Sequence, residues 1–77
     1  MERIELTKLQ YDVAKKQIEG DFSTLTSTDE ENKAMLEVIR MADSLMQELD
    51  AYDELDRYQD MSMIHWFIDK YEEQQKS

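Results

Sequence analysis

TDEENKAMLEVIRMADSLMQEL, residues 28–49, commits the chain to helix. Thr28 followed three residues later by Glu31 is a capping box: the hydroxyl covers one orphaned amide and the carboxylate reaches back to another. Asp29, Glu30 and Glu31 sit where the positive end of a helix dipole welcomes them. Behind this start, Met35, Val38, Ala42, Leu45, Leu49 and Tyr52 follow one another in steps of 3, 4, 3, 4 and 3. That is the spacing of a bundle or coiled-coil seam. Leu36, Ile39 and Met46 are expected to widen it. The next two seam positions hold Asp56 and Gln59, so the helix is expected to bend or end between Asp50 and Asp56.

Upstream, residues 4–19 read as a first helix. Glu5, Lys8, Asp12, Lys15, Lys16 and Glu19 fall on one arc, while Leu6, Leu9, Tyr11, Val13, Ala14 and Ile18 occupy the rest. Gly20, the only glycine, stands where a left-handed C-cap belongs. Asp21 to Thr28 reads as a loop, because its hydroxyl side chains compete for backbone hydrogen bonds. Phe22 and Leu25 are expected to tuck back against the core. Downstream, Met61, Ile64, Phe67, Ile68 and Tyr71 recur at helical spacing. Ile64 to Ile68 contains strand formers, but the polar tail Glu72 to Lys76 favours a helix.

With no proline and one glycine in 77 residues, a turn-rich β fold is disfavoured. The expected architecture is all-α: residues 1–77 as a single helical domain, a small bundle of three helices, or four if the second is broken. Apolar residues make up 40%, enough for a core. A chain this short buries only about 60% of its unfolded surface, so a homodimer would be a natural way to enlarge that core.

Charge narrows the function. Nineteen acids against nine Lys and Arg give a net −10. Nucleic acid and anionic membranes would repel such a chain; a basic partner protein would attract it. The absence of cysteine removes thiolate chemistry. The N-terminus lacks a signal-peptide pattern, and the longest apolar stretch, Met63 to Ile68, falls far short of the ~20 residues that span a bilayer. A cytoplasmic location is expected. One histidine, His65, provides neither a metal-binding pair nor a catalytic partner. The acids at Asp50, Asp53 and Asp56 lack the glycine and twelfth-position glutamate of an EF-hand. No metal, cofactor or catalytic residue is expected.

The acidity is concentrated. Residues 1–20 hold four acids and four bases, residues 21–60 twelve acids and three bases, and residues 61–77 three acids and two bases. Asp43, Glu48, Asp50, Asp53, Glu54, Asp56 and Asp60 share their stretch with one base, Arg57. As one straight helix this stretch would span about 27 Å, a length over which a DNA strand places about 8 phosphates. All but Glu48 would share half the wheel. The leading expectation is therefore an acidic partner-binding face of Asp43, Asp50, Asp53, Glu54, Asp56 and Asp60. It would imitate nucleic acid at a basic site, as a phage- or mobile-element-encoded inhibitor of the anti-CRISPR or anti-restriction kind would. The plainer alternative is a homo-oligomeric helical protein joined at the Met35–Tyr52 seam, its acids merely solvated. Met61, Met63, Trp66, Phe67 and Tyr71 exceed what one helix face needs. They are expected as core fillers, with an apolar partner-binding face as the alternative.

Met46-Gln47-Glu48-Leu49-Asp50 resembles the Ser-Gln-x-Leu-Asp motif of the small helical-hairpin phosphatases that dephosphorylate response regulators in sporulating bacteria. Gln47, Leu49 and Asp50 match; Met46 replaces the serine. The resemblance covers five residues and implies that Gln47 and Asp50 would face a partner's phosphoaspartate.

Overall fold

The computed structural model describes residues 3–57 and 63–76, with the backbone alone for residues 55–57. Three α-helices pack each against the other two: α1 (Lys8–Glu19), α2 (Asp29–Leu49) and α3 (Met63–Lys76). A 3-10 helix, Tyr52–Arg57, follows α2 and lies against α3. The small all-α bundle expected from the periodicity is the fold.

Helix α1 begins later than the apolar spacing suggests. Thr7 and Gln10 form a capping box: the Thr7 hydroxyl accepts from the Gln10 amide at 3.1 Å, and the Thr7 amide donates to the Gln10 side chain at 2.9 Å. Residues ahead of Thr7 therefore run outside the helix. Ile4 is nevertheless buried. Its amide donates to Gln74 Oε1 at 2.8 Å and its carbonyl accepts from Gln74 Nε2 at 2.7 Å. A side-chain amide thus serves Ile4 as a neighbouring strand would, satisfying both backbone groups.

At its other end α1 closes on Gly20, left-handed at φ 81°. The Gly20 and Asp21 amides return to the Gln17 and Lys16 carbonyls, a Schellman closure. In the following loop Phe22 packs on the core. Leu25 does not: it is 95% exposed. The backbone folds around Ser23, whose carbonyl accepts from the Thr26 and Ser27 amides, and this places residue 25 at the tip of the turn.

Helix α2 starts as its sequence predicts, with the reciprocal Thr28–Glu31 box at 2.9 and 3.1 Å. Those bonds from Thr28 hold the Glu31 carboxyl below its ordinary range. Ala34, Met35, Val38, Ala42, Leu45 and Met46 are buried. Leu36 and Ile39 are exposed: they lie on the outer side of the helix rather than widening the seam. The 21 residues of α2 rise about 32 Å, almost the whole 33 Å of the molecule's longest dimension. Helix α2 stops at Leu49, where Asp50 takes the left-handed conformation.

Helix α3 contributes the two largest core side chains, Trp66 and Phe67. Ile64, Trp66, Phe67 and Ile68 are buried, while His65 and Asp69 keep the opposite side of the segment partly open. A wedge of polar contacts joins it to α1. The Tyr11 hydroxyl donates to Glu72 Oε2 at 2.5 Å, Lys15 Nζ lies 3.5 Å from the same oxygen, and the Tyr11 and Tyr71 rings sit 5.6 Å apart.

Two expected outcomes follow from this packing. Leu45→Ala should cost about 2–4 kcal/mol, because Leu45 is buried and its removal leaves a cavity. Leu49→Ala should cost well under half as much, because Leu49 is partly solvated already; urea denaturation of the two variants measures the contrast. The second outcome concerns pH. The Tyr11 hydrogen bond, and after it Lys15, hold Glu72 below its usual value of 4.5, so this contribution is present above that value and is lost as pH falls through the lowered one. Tyr11 is pushed from 10.0 up to about 12, chiefly by the hydrogen bond to Glu72. Its contribution is complete below pH 10 and is lost as pH rises towards 12. The stability gap between wild type and Tyr11→Phe, followed by thermal unfolding, should be widest between these limits and narrow on both sides.

Candidate functional site

The described acids of the middle stretch follow the end of α2 and the turn beyond it instead of lining one rod. Helix α2 ends at Leu49, and Asp50 turns the chain in the left-handed conformation at φ 49°. The Asp50 and Ala51 amides return to the Gln47 and Met46 carbonyls at 3.3 and 3.1 Å. Tyr52 then opens the 3-10 helix. The straight 27 Å helix on which phosphate-like spacing depends is therefore not formed: the chain turns in the middle of it.

Asp43 is exposed on α2, its carboxylate accepting from Gln47 Nε2 at 2.8 Å. Glu48, Asp50 and Asp53 are exposed at the turn and just beyond it. Glu54 is half-buried and ion-paired with Lys70 at 3.1 Å, so it is tied into the fold and adds little to the surface. Asp56 lies on the 3-10 helix, but its side chain falls outside the described atoms, and Asp60 outside the described residues. Among the described residues, no cation forms an ion pair with Asp43, Glu48, Asp50 or Asp53.

The dipole of α2 adds to this charge. Its carbonyl end is negative, and acids there are repelled by it. The last turn of α1 carries Lys16 and that of α3 carries Lys76, whereas that of α2 carries no base. Opposite signs meet properly at the other end, where Asp29, Glu30 and Glu31 occupy the first turn. The end of α2 is thus the place where side-chain and backbone charge reinforce one another.

The alternative apolar face is corrected. Trp66 and Phe67, 0% and 1% exposed, fill the core. Met63 and Tyr71 are half-buried and pack against it, and Met61 lies outside the described residues. Of the Met35–Tyr52 seam, Met35, Val38, Ala42 and Leu45 are buried inside the single chain, whereas Leu49 and Tyr52 are exposed. Of the pentapeptide, Gln47 and Asp50 are both exposed, but Gln47 is engaged by Asp43 and Asp50 caps the helix. His65 Nε2 lies 3.8 Å from Asp69 Oδ1, one helical turn on. Among the described residues no three His, Asp or Glu gather closely enough to hold a metal ion, and no helix is long and apolar enough to cross a membrane.

Two apolar residues at the corner lie outside the expected acidic face, although both belong to the seam expected to join copies of the chain. Leu49 and Tyr52 are 39% and 50% exposed, between and beside Glu48, Asp50 and Asp53. The signal was the seam that fails after Tyr52. A seam that runs out must either end or emerge, and here its last two members emerge.

Because Asp50 sits at the negative end of α2, Asp50→Asn should raise stability by about 0.5 kcal/mol. Asparagine tolerates the left-handed backbone equally well, so the substitution isolates charge, and urea denaturation at low salt measures it. A loss of stability would show that the fold uses this carboxylate. Compared with known proteins, the chain matches no family model, no curated protein and no solved structure, so the bearing on function comes from this surface itself.

Proposed function

We propose that the chain is a non-catalytic binding module that docks its acidic corner on a basic site of a partner protein, the kind of site that otherwise holds nucleic acid. One observation carries this reading: Asp43, Glu48, Asp50 and Asp53 are exposed and without ion-pair partners among the described residues, at the end of α2 that lacks any base. Solubility does not require this. A small domain is well served by a net charge of roughly 2–8 in magnitude, and charge placed against a helix dipole costs stability. Arrangements that cost stability are kept where binding uses them. Direct contact with nucleic acid is disfavoured by repulsion. A small acidic inhibitor that competes with nucleic acid, of the sort that phages and mobile elements carry, combines these properties.

The test uses the protein captured by the wild-type chain from its host. Affinity should fall as salt rises, since exposed charges are screened over about 8 Å at physiological ionic strength. Asp43→Asn, Asp50→Asn and Asp53→Asn together should weaken binding by at least about ten-fold, mainly through a slower on-rate. The fold should survive, because surface changes usually stay within about 0.5 kcal/mol each. Any nucleic acid displaced by wild type should return to its site. Equal affinity of the triple variant and wild type across a salt series would overturn the proposal.

A further inference from the structure

The corner is more than acidic. The α2 seam is buried through Leu45 and then outruns its cover, so that Leu49 and Tyr52 emerge at 39% and 50% exposure. Both lie on a turn fixed by the paired bonds from Asp50 and Ala51, so their position is held by backbone geometry. Beside Leu49 lies a shallow cavity of about 320 Å³, lined by Ile4, Leu45, Leu49, Lys70, Glu73 and Gln74. Its apolar lining is the aliphatic trio Ile4, Leu45 and Leu49. Its one cation, Lys70, is already paired with Glu54.

We infer that Leu49, Tyr52 and this cavity form an apolar anchor site inside the acidic corner, taking a segment of a basic protein in which a large apolar or aromatic side chain stands between lysines or arginines. The inference rests on the acidic-surface reading and adds to it what the surface grips. Glu48 and Asp50 flank Leu49 in sequence, and Asp53 follows Tyr52. An apolar side chain entering here would therefore bring its neighbouring cations against carboxylates that have no ion-pair partner among the described residues. Charge complementarity also selects the occupant. A second copy of this chain would set two surfaces of a −10 protein against each other, and nucleic acid would be repelled as well. Exposed charges speed encounter, but bound lifetime comes from a desolvated anchor, and Tyr is among the residues enriched at such anchors.

The probes are three fluorescein-labelled peptides: oligolysine, and the same peptide with either tryptophan or serine at the same two interior positions. Binding to the full chain is followed by fluorescence anisotropy in a salt series. Wild type should bind the tryptophan peptide roughly ten-fold more tightly than the charge-matched serine peptide. Leu49→Ser with Tyr52→Ser should abolish that preference and leave serine-peptide and oligolysine affinities unchanged. Asp50→Asn with Asp53→Asn should weaken all three peptides while preserving the preference. Both positions are exposed, and circular dichroism checks that the variants fold. Equal binding of the tryptophan and serine peptides by wild type, or a preference that survives in the Leu49→Ser, Tyr52→Ser variant, overturns the anchor site and leaves the acidic reading standing. Binding of all three that is indifferent to salt and to the asparagine substitutions overturns the acidic reading itself, as does no binding at low salt.

Discussion

Burying Trp66 and Phe67 is the constraint on which this bundle depends. A chain of 77 residues has little apolar surface to spend, and these two rings, fully covered, concentrate it. Their burial needs cover over the whole α3 face that carries Ile64, Trp66, Phe67 and Ile68. Helices α1 and α2 pack against α3, the 3-10 helix lies against it, and Ile4 joins the same core. The covering side chains are largely small or flexible: Ala14, Ala34, Ala42, Ala51, Met35 and Met46 are all buried. Alanine lets backbones approach closely, and methionine fills irregular gaps. A lone helix pair could not enclose two aromatic rings, which is why the third helix cannot be dispensed with.

The two Schellman closures show what the molecule does with its remaining freedom. Helix α1 ends on Gly20 at φ 81° and α2 on Asp50 at φ 49°. The backbone problem is the same, and glycine solves it without steric cost. An aspartate there strains the backbone and places a charge against the carbonyl end of the helix. Where α1 is closed for stability, α2 is closed with an acid, and the neighbouring exposed acids have the same sign.

Much of the fold was legible because it was written in local signals. The Thr28–Glu31 box, Gly20 and the Met35–Leu45 periodicity each act within one or two turns, so their reading needs no tertiary knowledge. The box at Thr7 and Gln10 was equally local, but the apolar Ile4 and Leu6 ahead of it imitate one more turn of helix. Leu36 and Ile39 misled for a different reason. Spacing alone widens a stripe, and only the placement of α1 and α3 says where the stripe ends. At the candidate site, the concentration of acids could be counted from sequence, whereas its shape could not. Shape turned on whether Asp50 continues the helix, and aspartate permits either outcome. Trp66 and Phe67 were ambiguous between core and surface until the α3 face that carries them was seen to be covered.

The Ile4–Gln74 clamp bears on how the molecule assembles. Its two partners are 70 residues apart, so forming it closes nearly the entire chain into a loop, whose entropic cost must be met before the contact gives anything back. Since two hydrogen bonds and one apolar side chain do most of the holding, residues 3–6 are placed to detach first. Amide exchange at Ile4 should accordingly report an opening of its own, independent of the three-helix core, giving this small protein two levels of cooperativity rather than one.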